Sequence, residues 1–107
     1  MKEPTFDKNG YPTDKTLEEI ANYKAKGYGQ YNELMEYIKD CWWHPEMMKK
    51  KEKLATSDIW HISTGGWSGN EDIIEAMKKN FWFWMACWVQ SRRGGHYIFE
   101  VKKDENG

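Results

Sequence analysis

The sequence predicts one α+β domain in which N-terminal helices are followed by a strand, a glycine-rich loop, a helix and an antiparallel hairpin. A small sheet packs on the helices. Three observations lead there. The chain has 107 residues, enough for one core and too few for two. Its first half repeats apolar residues every three or four positions, the helical period. Its second half alternates aromatic and β-branched runs with glycine clusters, as strands and turns do. Residues 1–15, with Pro4, Asn9-Gly10 and Pro12, read as an irregular arm with a turn at Asn9-Gly10. Residues 16–107 form the domain.

Thr16-Leu17-Glu18-Glu19 matches a capping box, with Thr16 as N-cap and Glu19 reaching back. Leu17, Ile20 and Ala21 continue a helix over 16–26, which Gly27 ends. Tyr31, Leu34, Met35, Ile38, Cys41 and Trp42 mark a second helix over 30–43. Gly27-Tyr28-Gly29 connects the two, and His44-Pro45 stops the second. Pro45 is placed to open a third short helix over 46–55. Its Lys49-Lys50-Lys51-Glu52-Lys53 run reads as a solvated face.

Ile59, Trp60, Ile62 and Thr64 suit a strand over 58–64, before the loop Gly65-Gly66-Trp67-Ser68-Gly69-Asn70. A helix over 71–79 follows, capped by Ser68 or Asn70, with Ile73, Ile74 and Met77 buried and Asn80 ending it in a left-handed conformation. Phe81 to Gln90 is apolar on both alternations and reads as a strand. Gly94-Gly95 is expected to form a two-residue turn, pairing Arg93 with His96 and Ser91 with Ile98. One face would then hold Phe81, Phe83, Met85, Cys87, Val89, Arg93, His96 and Ile98. The other would hold Trp82, Trp84, Trp88, Arg92, Tyr97, Phe99 and Val101. Two helices easily cover one such face, so the second predicts a homo-oligomer or a ligand.

Composition excludes several functions. Net charge is -1, from 16 Lys and Arg against 17 Asp and Glu. That gives neither a basic field for nucleic acid nor the acidic surface of a DNA mimic. No run of about 18 apolar residues exists, so no membrane partner is expected. Met1-Lys2-Glu3-Pro4 carries no apolar stretch, which points away from a signal peptide and toward the cytoplasm. Cys41 and Cys87 are then expected to stay as thiols. The apolar inventory is aromatic: 7 Trp, 6 Tyr and 4 Phe against 12 Leu, Ile and Val. Large rings hold a small core economically, and they also stack on planar ligands.

Three features point to chemistry. The strand, glycine-rich loop and helix of 59–79 aim backbone N–H groups at one spot, as phosphate sites do. Glu71 and Asp72 in the first turn oppose an anion there, and the loop matches no nucleotide or other cofactor fingerprint. Glu71 and Asn70 suit ribose hydroxyls or a base edge instead. Arg92-Arg93-Gly94-Gly95-His96-Tyr97 supplies cationic forks, a titratable donor and a ring, or else a solvated turn. The rings of Trp82, Trp84, Trp88, Tyr97 and Phe99 form either core or a stacking surface. Cys41-x-x-His44 has the spacing of half a zinc site, with Cys87 and His96 as distant complements, too little to assign a metal. His61-Ile62-Ser63 is half of a two-histidine phosphoesterase motif, and His96-Tyr97-Ile98 lacks the matching hydroxyl.

The block Trp60-His61-Ile62-Ser63-Thr64-Gly65-Gly66-Trp67-Ser68-Gly69-Asn70-Glu71, with Phe81-Trp82-Phe83-Trp84-Met85-Ala86-Cys87-Trp88 and Arg92-Arg93-Gly94-Gly95-His96-Tyr97-Ile98-Phe99-Glu100, resembles a family of small, largely uncharacterised phage and prophage proteins. The resemblance spans residues 60–101. It implies expression inside an infected bacterium and supplies no reaction. By analogy of style, small phage proteins of this kind include sponges that sequester nucleotide immune signals. The leading expectation is therefore a non-enzymatic binder of a nucleotide-like ligand, such as a cyclic nucleotide or cyclised ADP-ribose. Trp67, Trp84 or Trp88 would stack on the base, with Tyr97 beside them. Arg92 or Arg93 would hold phosphate, and Ser68, Asn70, Glu71 and His96 would read sugar or base edges. The alternatives are a module docking its aromatic face on a host defence protein and a small phosphodiesterase-like enzyme.

Overall fold

The computed structural model describes residues 1–103. It is α+β, with four helices and one four-stranded antiparallel sheet. The helices are α1 (Asp14–Asn22), α2 (Tyr31–Cys41), α3 (Ser68–Lys79) and α4 (Phe81–Cys87). The strands are β1 (Met48–Lys53), β2 (Ser57–Ser63), β3 (Trp88–Arg92) and β4 (His96–Lys102), in the order β1-β2-β4-β3. The inner strands, β2 and β4, come from separate hairpins. Burial alternates along β2: Asp58, Trp60 and Ile62 face the helices, while Ile59, His61 and Ser63 face the other way. Trp60 pairs with Phe99 and Ile62 with Tyr97. Trp60 and Phe99 join Ile20, Leu34, Met35, Ile38, Ile73, Met77 and Phe83 in one core. Among the described residues, the helices pack on the face of Trp60 and Phe99 alone. The opposite face presents His61, Ser63, His96 and Ile98 across β2 and β4.

The N-terminal helices form where the apolar period places them, with shifted ends. Thr13, not Thr16, caps α1, its hydroxyl accepting the Thr16 N–H. Thr16 is buried and bonds to Thr5 of the arm instead. A tertiary contact has overridden the local capping box. The arm itself folds back through a bridge between Phe6 and Pro12, around a turn in which Asp7 accepts the N–H groups of Asn9 and Tyr11. A 3-10 turn over Tyr28–Gln30 leads into α2.

Two predicted elements are corrected. Residues 46–55 are not helical: Pro45–Met47 makes a 3-10 turn and β1 follows. Met48 pairs with Ile62 and is buried, while Lys50 pairs with Trp60 and lays its ammonium 5.0 Å from that ring. Met48 is the strand's one apolar side chain and the backbone ladder with β2 holds the rest, whereas a helix there would have no apolar stripe. Residues 81–87 are not a strand but α4. Asn80 is not left-handed; at φ -82° its side chain accepts the Phe83 N–H and donates to the carbonyls of Ile20 and Tyr23. That buried cap starts a helix, which then buries only Phe83 and Cys87, one turn apart. The two-face alternation inferred for 81–87 therefore does not exist. Ser68 and Asn70 do not cap α3 either: its N-cap is Trp67, without a side-chain bond, and Asn70 is fully buried within the first turn.

The hairpin is displaced by one residue from the predicted register. Arg92 pairs with His96, Ser91 with Tyr97 and Gln90 with Ile98. The loop has three residues, Arg93 to Gly95, with both glycines left-handed. Gly95 is required: its carbonyl accepts the Thr64 N–H, and a Cβ there would lie 2.3 Å from the Thr64 hydroxyl. This contact ties the hairpin tip to the turn that follows β2. Arg92 rather than Arg93 consequently shares a face with His96 and Ile98.

Candidate functional site

At the end of the sheet where β2 stops and β4 begins, two groups of side chains converge on Thr64. The first is a row of four rings. Tyr11 and Trp67 lie 4.8 Å apart between centroids, Trp67 and Trp43 5.2 Å, and Trp43 and His44 4.3 Å. All three spacings fall within or just below the range of favourable aromatic pairs. The row is built, not draped. Asn70 accepts the Trp43 N–H at 2.9 Å and donates to the carbonyls of Trp43 and Thr64, each at 3.1 Å. Gly69 lets the Trp67 ring lie against the α3 backbone, where a Cβ would sit 2.3 Å from ring carbons. The hydroxyls of Tyr11 and Ser68 share a 2.8 Å hydrogen bond. His44 holds a left-handed backbone at φ 60°, and its Nδ1 lies 2.8 Å from Glu46. Strain of this kind persists where surrounding contacts over-determine it. Trp43 is still half exposed, leaving ring surface open to solvent.

The second group is a polar chain on the sheet face opposite the core. Ser63 Oγ and His96 Nδ1 share a hydrogen bond of 2.8 Å, and His96 Nε2 lies 3.4 Å from His61 Nδ1. Strand pairing explains the grouping: Ser63 is directly opposite His96, and His61 is the diagonal neighbour. Arg92 stands across from His96 on the other side, its Nε donating to Gln90 Oε1 at 3.1 Å, and Lys49 stands across from His61. Five polar residues from four strands thus meet on one surface.

Of the ten residues expected from sequence to bind a ligand, eight fall into three groups and two stand apart. Trp67 and Ser68 belong to the ring row; Asn70 is fully buried and positions it. Arg92 and His96 belong to the polar chain. Arg93 sits in the loop between β3 and β4, and Glu71 is exposed in the first turn of α3. Trp84, Trp88 and Tyr97 form a separate cluster at the helix-side margin, with Trp84 and Trp88 stacked 6.0 Å apart and Trp84 edge-on to Tyr97. Sequence reasoning missed Tyr11, Trp43 and His44. Trp42-Trp43-His44 just before Pro45 was a local signal for two of them. No local signal connects Tyr11 to Ser68, 57 residues away.

Burial pushes the Cys41 and Cys87 thiols up to about 12, with the nearby carboxylates of Asp40 and Glu100 adding to it. Such thiols are poor nucleophiles and poor metal ligands at neutral pH. Among the described residues, no three His, Cys, Asp or Glu side chains gather as a metal site needs, and no helix is long and apolar enough to cross a membrane. A groove of about 420 Å³ lies between the arm, α1 and Tyr37 of α2, and another of about 290 Å³ between α1 and α3. Neither is lined by a residue of the ring row or the polar chain. The first mixes Lys2 and Lys15 with Glu3, Glu18 and Glu19, and the second is mainly acidic. Neither charge pattern suits an anion. Comparison with protein families, curated proteins and solved structures finds no match.

Proposed function

We propose that the chain binds a planar, anionic, nucleotide-like ligand at this end of the sheet and leaves it unchanged. The observation that supports the reading is the pinned ring row beside a hydrogen-bonding, cationic surface, both converging on Thr64. The base would stack on the open face of Trp43, since stacking tolerates any base and is worth about 1–3 kcal/mol. Arg92 would grip phosphate oxygens through its fork. Ser63, His96 and His61 would supply donors to phosphate or sugar. Sequestration of a cyclic nucleotide or cyclised ADP-ribose immune signal, inside a phage-infected bacterium, extends this reading. That extension rests on the resemblance carried by residues 60–101.

A second reading follows from one distance. Ser63 Oγ at 2.8 Å from His96 Nδ1, with His61 behind His96, has the order of nucleophile, base and orienting group. One experiment separates the two. The protein is incubated with cyclic dinucleotides, cyclic oligonucleotides and cyclised ADP-ribose isomers and filtered; the retained fraction is then heated. Binding predicts a compound missing from the filtrate and recovered intact after heating. Arg92→Ala and Trp43→Ala should each weaken that retention at least tenfold, a loss of about 1.4 kcal/mol or more. A converted product that disappears in Ser63→Ala establishes the enzyme. Compounds left entirely in the filtrate refute the ligand class.

A further inference from the structure

The two edges of the sheet are guarded differently. The outer edge of β1 carries Lys49 and Lys50, and lysines on an edge strand deter pairing with another chain. The outer edge of β3 reads Trp88-Val-Gln-Ser-Arg92 and is exposed along its whole length. It has no lysine, proline or acidic residue. Beside it, α4 turns Phe81, Trp82 and Met85 to solvent at 60%, 71% and 66% exposure, and Trp88 and Val89, the first two residues of β3, are 42% and 49% exposed. At about 150–250 Å² per aromatic side chain, these five expose on the order of 500 Å². A two-fold pair of such patches covers roughly 1,000 Å², where specific dimer interfaces begin.

We propose that this surface binds a second copy of the chain, β3 against β3 in antiparallel register, to make one eight-stranded sheet. An antiparallel two-fold runs perpendicular to the sheet, so it keeps the helix-bearing faces of both copies on the same side. The α4 helices then meet, and Phe81, Trp82 and Met85 of each copy are covered by their counterparts. Charge selects the register. Between Asn80 and Phe99 the only charged side chains outside histidine are Arg92 and Arg93. Centring the pair on Gln90 holds the two Arg92 residues about 13 Å apart along the strands. That exceeds the roughly 8 Å over which charges act at physiological ionic strength. Centring on Arg92 would set the guanidinium groups face to face. The proposal does not rest on the ligand reading: it uses the edge of β3 and the helix side, and shares with that reading only Arg92 and its partner Gln90.

The test measures mass and proximity. Light scattering of the full chain should give twice the 12.8 kDa of one copy. The double variant Trp82→Lys/Met85→Lys changes only exposed side chains; it should run as a folded monomer with unchanged far-UV circular dichroism. Opposed Cα atoms in an antiparallel pair lie about 4.5–5.5 Å apart, within disulfide reach. Gln90→Cys treated with copper phenanthroline should therefore cross-link to a dimer in high yield, while Lys50→Cys on the other edge should not. A monomeric wild-type mass at hundreds of micromolar overturns the proposal. So does a dimer that survives the double lysine variant, or one that cross-links through Lys50→Cys and not through Gln90→Cys.

Discussion

Asn70 clasps Trp43 by both of its backbone polar groups: its Oδ1 accepts the Trp43 N–H and its Nδ2 donates to the Trp43 carbonyl. The same Nδ2 also reaches the Thr64 carbonyl. One fully buried amide thereby joins the segment before β1, the end of β2 and the first turn of α3. Asn70→Ala removes three hydrogen bonds, one of them buried, and leaves the part-buried Trp43 N–H without its side-chain acceptor. It should cost about 2–4 kcal/mol, read as a lower midpoint in urea denaturation. A loss below 0.5 kcal/mol would show that the clasp is incidental to the fold.

Gly69→Ala probes the ring row with little effect on the fold. Alanine favours a helix interior by about 1 kcal/mol over glycine, but its Cβ would meet the Trp67 ring at 2.3 Å. The ring must swing away and break its contacts with Tyr11 and Trp43. Net stability should change by about 1 kcal/mol or less, while the near-UV circular dichroism of the tryptophans changes clearly. An unaltered near-UV spectrum would mean that Trp67 does not lie on the helix.

Asn80→Ala should be more damaging than an ordinary cap deletion. A cap alone is worth about 1 kcal/mol. Asn80 also satisfies the carbonyls of Ile20 and Tyr23, 60 and 57 residues away. We expect a loss of about 2–3 kcal/mol in thermal or chemical denaturation. Asn80→Asp should restore the cap but not the two donations, and should fall between wild type and alanine.

The buried thiols set an alkaline limit. Folding raises Cys41 and Cys87 from 9.0 to about 12, so the folded chain holds protons that the unfolded chain releases. Their contribution is complete below about pH 9 and is lost as pH climbs toward 12, at up to about 1.4 kcal/mol per pH unit for each thiol. Tyr23, raised from 10.0 to about 12 by burial and by its hydrogen bond to Glu33, adds the same sign from pH 10 upward. The melting temperature should therefore fall steadily above pH 9. Cys41→Ala/Cys87→Ala should start lower and decline less between pH 9 and 10. Parallel curves for the two proteins would contradict the burial argument.

What the sequence disclosed follows the range of the interactions responsible. Ile20, Leu34, Met35 and Ile38 sit at helical spacing, and their helices appear where that spacing places them. Trp60, Ile62 and Thr64 recur at every second position, and β2 forms there. The failures have other causes. Phe81 to Cys87 is so uniformly apolar that no period distinguishes strand from helix, and the decision falls to Asn80 and its contacts with α1. Residues 48–53 are lysine-rich without any period, and their strand exists because β2 offers an edge. Of the candidate site, Trp67, Arg92 and His96 were legible as residue types near glycine turns. Their grouping was not, because a one-residue change in the hairpin loop decides which arginine joins His96. The pairing of Ser63 with His96 likewise depends on how two separate hairpins dock.

That docking has a kinetic consequence. Each hairpin closes a loop of only a few residues, an event of microseconds. Joining β2 to β4 brings Ser63 to His96 across 33 residues and Ser57 to Glu100 across 43, with α3 and α4 between them. Closing loops of that length costs more entropy than closing either hairpin. The pairing of β2 with β4 is therefore expected to follow the hairpins, and the polar chain built across that seam requires both hairpins to be docked.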